Sequence, residues 1–312
     1  MKSLTSTPHD YRVVAIPPCC ITKFYECTGC AELHAWYHTR NRAWVRPSTV
    51  LEIMSSERQY RREIASFGKM LHERGYVAAM DGNLSVRLDE RRILATPTAM
   101  SKSMMRPADM VIVDLEGRHM SGRRAVSSEI AMHLLIYKLR PDVQGIVHAH
   151  PPTATGFAAA GIALNQPLVC EVVIGLGSIP LAKYGTPGTP ELTAALEPLI
   201  PQFDAILMSN HGVVTYADTL HHAYMKMETV EHFSQIALVT HLLGRQQPLG
   251  HEELEKLMLA RSKYQGSKSA APLPLAVGCD GEGNHREAVR CESEISSPES
   301  TPKSRRAVTR HR

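Results

Sequence analysis

Residues 145–153 read GIVHAHPPT. The apolar start reads as a buried strand, and Pro151-Pro152 ends its ladder because proline has no N–H to offer a neighbour. Two histidines thus stand at the finish of a strand, where an imidazole is poor core material. Residues i and i+2 of a strand share a face, so His148 and His150 point to one side and Ala149 to the opposite, packed side. That spacing suits a shared metal at a sheet edge. With 16 histidines among 312 residues such a pair also arises by chance, so the flanking sequence has to decide.

Outward from this strand the elements alternate. On the N-terminal side, EIAMHLLIYKL at 129–139 reads as a helix capped by Ser128 and stopped by Pro141. Farther upstream a helix opens at Ser55-Ser56-Glu57, places Ile64, Phe67, Met70 and Leu71 on one face, and closes at Gly75. LSVRL at 84–88, ILATP at 93–97 and MVIVDL at 110–115 read as strands. On the C-terminal side a short helix spans about 153–160, followed by strands in LVCEVV (168–173) and SIPLA (178–182). Thr189-Pro190-Glu191 starts a helix that runs to Leu199, with proline at the first helical position. DAILMSNHG at 204–212 is a strand ending in a turn, and long helices follow at 220–243 and 251–264. The pattern supports an α/β fold, a mixed sheet with helices on its faces.

The ends of the chain differ from its middle. Residues 1–53 and 266–312 each carry two more basic than acidic residues, while 54–265 holds 21 of each sign. A neutral central region removes the usual electrostatic argument for nucleic acid as a partner and favours a small ligand. Six of the seven cysteines lie outside 54–265, only Cys170 within it. Cys27 and Cys30 with His34 and His38 have zinc-like spacing, but the surrounding stretch lacks a periodic apolar pattern, so 1–53 reads as a poorly structured extension. The Ser/Pro/Gly-rich residues 266–312 read as a disordered tail, leaving 54–265 as the folded domain. No run of 18 apolar residues and no signal-peptide pattern occurs, so a soluble cytoplasmic protein without membrane contact is expected.

A catalytic metal usually wants three protein ligands and an open position, and His211 in SNHGVV is the third candidate, beside a Gly212 that leaves room for close approach. Glu129 follows Ser127-Ser128 at a helix N-terminus, whose free N–H groups attract anions. Zinc suits three neutral nitrogens and a nearby acid best, with manganese, cobalt and iron as alternatives. A second anion seat is suggested by MDGNLSV at 80–86, where Gly82 permits a tight turn and Asn83 and Ser85 offer hydrogen bonds, and by Thr96-Pro97-Thr98-Ala99. No Walker or GxGxxG loop is present, so a nucleotide cofactor is not expected.

In this order and at these intervals, GNLS (82–85), TPTA (96–99), SSE (127–129), HAHP (148–151) and NHG (210–212) make a chain that resembles the class II aldolase/adducin family, and within it the fuculose-phosphate aldolases. The resemblance covers roughly residues 57–264. It implies a three-layer α/β/α fold with a mixed, largely antiparallel central sheet, assembled as a homotetramer with sites between neighbouring subunits. It implies that His148, His150 and His211 bind zinc, that Glu129 is a fourth ligand and becomes the acid/base when substrate displaces it, and that Asn83, Thr98, Ala99, Ser127 and Ser128 hold a phosphate. It also implies that Tyr264 serves the adjacent subunit's site as a proton donor or acceptor. Two residues depart from the family pattern. Ala99 replaces a usual glycine, which is tolerable at negative φ, and Glu171 stands about where a tyrosine near the aldehyde is expected.

The activity implied is cleavage of a ketose 1-phosphate, a small phosphorylated sugar, into dihydroxyacetone phosphate and a small aldehyde through a zinc-stabilised enediolate. The alternatives are a ribulose-phosphate 4-epimerase or another lyase of the superfamily, a dehydratase or decarboxylase. An adducin-type binding module without catalysis is a further alternative, which three intact histidines oppose.

Overall fold

The computed structural model describes residues 47–264, with side chains from 56 to 261. The cysteine-rich stretch near Cys27 and the tail from 266 lie outside the described residues. Helix α1 (Pro47–Glu73) is followed by β1 (Asn83–Arg87), β2 (Ile93–Ala95), β3 (Val111–Val113) and β4 (His119–Ser121). Helix α2 (Ile130–Leu139) leads to β5 (Gly145–Ala149), α3 (Pro152–Ala159), α4 (Cys170–Gly175), β6 (Leu181–Ala182) and α5 (Pro190–Leu196). Strands β7 (Ala205–Met208) and β8 (Gly212–Ala217) precede α6 (Leu220–Leu242) and α7 (His251–Tyr264).

The strands form one eight-stranded sheet in the order β4-β3-β2-β1-β5-β8-β7-β6, antiparallel throughout except for the parallel pair β6 and β7. Both faces are apolar. Leu84, Val86, Val147, Ala149 and Val213 join one cluster with Ile64 and Leu71 of α1, Ala154 of α3 and Met227 and Phe233 of α6. Ile93, Val111, Ile146, Ile206 and Val214 face the other way, against Met132 and Ile136 of α2 and Leu192 and Leu196 of α5. Burying each such side chain contributes about 1.5–3 kcal/mol, which explains why the central strands carry apolar residues on both sides.

Four local expectations need correction. LVCEVV holds no strand: Cys170–Gly175 is helix α4, with Val172, Val173 and Leu176 buried and the Leu176 N–H on the Val172 carbonyl at 2.8 Å. A short β-branched run is ambiguous in sequence, and packing against α6 and α7 settles it as helix. Strand β8, buried along its whole length, lies hidden behind the turn at Asn210, and the exposed β4 behind a run of polar residues. Helix α1 begins at Pro47 rather than at Ser55, in keeping with the preference for proline in a first helical turn. Helix α2 starts at Ile130 with Glu129 in the cap position and no side-chain capping bond from Ser128.

Candidate active site

Strand register does most of the positioning. Asn83 of β1 pairs with His148 of β5, and His148 in turn pairs with Val214 of β8. His211 occupies the tight β7–β8 turn, where Asn210 is left-handed at φ 55°. The rings of His148, His150 and His211 form a near-equilateral triangle, with centroids 4.9, 4.8 and 5.2 Å apart. One ligand nitrogen from each lies within 4.8 Å of the others, a grouping that could hold a metal ion. Gly212 makes the room: a Cβ there would stand 2.5 Å from the His150 ring and 2.6 Å from the Ala149 carbonyl.

Glu129 meets this triangle from α2. Its carboxylate lies 3.3 Å from His148 Nε2 and 3.1 Å from His211 Nε2. The His148 Nδ1–H donates to the Val213 carbonyl at 2.8 Å, so its Nε2 carries a lone pair. That lone pair faces His150 Nε2 at 3.1 Å as well as the carboxylate. Electron pairs aimed at one another need a cation between them, so the donor set fits a divalent ion, and Glu129 Oε1, buried without a hydrogen-bond partner, faces the same spot beside His211 Nε2. Burial would raise the Glu129 pKa, but the adjacent His148 and His211 outweigh it and hold the carboxyl well below the usual range. Burial, with His148 and His211 beside it, pushes His150 down to about 3, so this imidazole is neutral and able to ligate. Asp81 stands 3.6 Å from His150 Nδ1 on the far side.

The residues expected to form an anion seat are brought together by an isolated bridge between Pro97 and Val126, which sets Thr98 beside the residues leading into α2. The Thr98 N–H reaches the Ala125 carbonyl at 3.0 Å and the Ser127 N–H the Thr96 carbonyl at 3.3 Å. Thr98, Ala99 and Ser128 are exposed, Ser127 is half-buried, and Asn83 is buried with its amide donating to Glu129 Oε2 at 2.8 Å. Ala99 takes φ 53°, the left-handed region where an alanine is strained. Gly82, at φ 71°, passes so close to the His148 carbonyl that a Cβ would stand 2.8 Å from it.

Three features were missed in the sequence. Lys102 is buried and donates to the carbonyls of Met80 at 3.0 Å and Met100 at 2.9 Å, tying the two anion-seat loops together, and burial pushes its ammonium down to about 8. Behind Asn83 runs a chain of polar side chains, His133, Ser85 and Tyr137. Its signal was present, since Glu129, His133 and Tyr137 recur every four residues on one face of α2. The third is Asp81, one residue ahead of Gly82. Glu171 sits in the first turn of α4 and accepts the Cys170 thiol at 3.0 Å. Tyr264 ends α7, and its side chain lies outside the described residues.

Comparison with known proteins agrees with this geometry. A sequence profile described as class II aldolase and adducin N-terminal domain matches residues 62–238. The chain is similar to the 5-deoxy-D-ribulose 1-phosphate aldolase of Bacillus thuringiensis, 33% identical over 66% of this chain and 95% of that protein. It is also similar to the 3-oxo-tetronate 4-phosphate decarboxylase of Pectobacterium atrosepticum, 32% identical over 60% of this chain and 87% of that protein. Among solved structures, an L-fuculose 1-phosphate aldolase superposes with a TM-score of 0.61 at 29% identity, covering 66% of this chain and 95% of its own.

Proposed function

The chain belongs to the class II aldolase and adducin family, and from that premise we propose that it is a zinc-dependent lyase cleaving a ketose 1-phosphate into dihydroxyacetone phosphate and a small aldehyde. The observation that carries this reading is the convergence of His148, His150, His211 and Glu129 beside a helix N-terminus without a side-chain cap. The two helix-covered faces of the sheet support a three-layer arrangement, and a homotetramer with sites between neighbours is part of the same proposal.

His148, His150 and His211 would hold the ion. When bound, zinc supplies Lewis acidity that spreads the negative charge developing next to a ketone. Asn83, Thr98, Ala99, Ser127 and Ser128 bind the phosphate through amide, hydroxyl and backbone donors, which fixes the sugar's reacting carbons against Glu129. Cleavage moves the electron pair of the broken carbon–carbon bond towards the ketone as the aldehyde departs. Glu129, standing beside that carbon, would take its proton in the condensation direction and, after taking up a proton from solvent, would return it to the carbon that lost its partner in cleavage. Tyr264 of a neighbouring copy is assigned the proton exchanged at the aldehyde oxygen.

The similarity to 3-oxo-tetronate 4-phosphate decarboxylases favours one second reading, decarboxylation of a phosphorylated β-keto acid. A screen of ketose 1-phosphates and 3-oxo acid phosphates with metal-loaded protein separates them, since only the second class releases carbon dioxide. Within the aldolase reading, Glu129→Gln should keep zinc but stop exchange of the carbon-bound proton of dihydroxyacetone phosphate with solvent. Exchange at the wild-type rate would remove Glu129 as the base.

A further inference from the structure

Behind Asn83, the polar side chains of Ser85, His133 and Tyr137, buried between β1 and α2, have no role in the chemistry above. Asn83, Ser85, His133 and Tyr137 are each at most 3% exposed. Asn83 Nδ2 lies 2.8 Å from Glu129 Oε2, Asn83 Oδ1 2.5 Å from His133 Nε2, His133 Nδ1 2.6 Å from Ser85 Oγ, and Ser85 Oγ 2.8 Å from the Tyr137 hydroxyl. The Tyr137 hydroxyl also approaches the Gln144 carbonyl at 3.2 Å.

Each proton in this chain is dictated by its neighbour. The Asn83 nitrogen donates to Glu129 Oε2 at 2.8 Å, which leaves its amide oxygen turned the other way. The amide oxygen then faces His133 Nε2, which has to carry the ring proton. Burial keeps His133 neutral, with its pKa pushed down to about 3, so Nδ1 is left as an acceptor. Ser85 must donate to it, and the Ser85 oxygen accepts from Tyr137, whose hydroxyl lies nearer to it, at 2.8 Å, than to the Gln144 carbonyl, at 3.2 Å. The donors all run one way, from the protein interior towards Glu129.

We propose that His133 is a positioning residue which, with Ser85 and Tyr137 behind it, locks the Asn83 amide with its N–H side facing the anion seat. The proposal rests on the reading of Asn83 as a phosphate donor. When Glu129 moves aside, the amide cannot relax into the reverse orientation, because its oxygen is already held by the His133 N–H. The donor offered to a substrate phosphate is therefore present before the substrate arrives, and its orientation entropy is not lost on binding.

Ser85→Ala isolates this role without touching the histidines of the triangle or Glu129. Without the serine proton, His133 is free to carry its own proton on Nδ1, and Asn83, once Glu129 has moved aside for the phosphate, can turn to donate to Nε2. Two measurements decide. Neutron diffraction from the perdeuterated protein locates deuterons directly, and the expected pattern is one on His133 Nε2, one on Ser85 Oγ directed at His133, and both Asn83 amide deuterons on the Glu129 side. A deuteron on Nδ1 or a reversed amide overturns the proposal. In the second, inorganic phosphate is titrated into zinc-loaded wild type and Ser85→Ala, whose affinity should fall roughly tenfold with unchanged zinc content, the value of one hydrogen bond to a charged group. Equal affinity overturns it. A wild type that binds no phosphate refutes the anion seat itself, and the deuteron positions still decide how Asn83 is held.

Discussion

Replacing Gly212 by alanine tests how tightly the β7–β8 turn is built around the histidines. The added methyl would stand 2.5 Å from His150 Cδ2 and 2.6 Å from the Ala149 carbonyl. The carbonyl is part of the β5 backbone, and Ala149 is paired with Val213, so the strand is the harder of the two to move. Carbon atoms in contact normally keep about 3.5–4.0 Å, so the His150 ring has to retreat by about 1 Å. Overpacking of this kind typically costs about 1–3 kcal/mol, which leaves the protein folded. A metal site tolerates ligand errors of only about 0.2 Å, so the functional loss is larger than the loss of stability. Zinc affinity, measured by competition with a chromogenic chelator, should fall by at least about 10–100-fold, the range seen when a ligand's surroundings are disturbed. Zinc binding at wild-type affinity by a folded Gly212→Ala protein would show that His150 does not take part in a close-fitting ion site.

Three further perturbations follow from particular residues. Ala99→Gly relieves a left-handed alanine that costs about 1–2 kcal/mol, against about 0.4–1 kcal/mol of extra chain entropy, so stability should rise by about 0.5–1 kcal/mol; a lowered melting temperature would contradict the strained backbone. His133 has its pKa depressed by burial to about 3 from the 6.5 of a free imidazole, so its contribution is intact above pH 6.5. As pH falls from there towards 3, the unfolded chain takes up a proton that the folded chain refuses, and stability drops by about 1.4 kcal/mol per unit. Urea midpoints of wild type should therefore fall more steeply with acid than those of His133→Gln, and parallel profiles would refute a neutral buried His133. Finally, removal of residues 266–312 should leave zinc content and turnover unchanged, and a large loss of either would show that this segment serves the site.

Much of this site was legible in the sequence because its parts are short and local. The strand ahead of Pro151 announces itself by its apolar start, and the i, i+2 rule placed His148 and His150 on one side and Ala149 on the other, as found. His211 could be nominated from its place at a strand end, although the rings come closer than strand spacing alone suggests because each tilts towards a common centre. What stayed hidden depends on contacts distant in sequence. Val172 and Val173 carry strand-like propensity, and only their neighbours in α6 and α7 make them helical. The partners of His133 are on β1, about 50 residues away, and no local pattern reveals them. For Ala99 the type of residue was plain, but whether it is strained depends on a φ that only the folded chain specifies.

X-ray absorption at the zinc edge of the metal-loaded protein addresses the shared ion most directly. Three imidazole nitrogens and at least one oxygen at about 2.0–2.1 Å are predicted for an ion held by His148, His150 and His211. Fewer than three imidazoles, or sulfur at about 2.3 Å, would place the metal elsewhere in the chain and contradict the account.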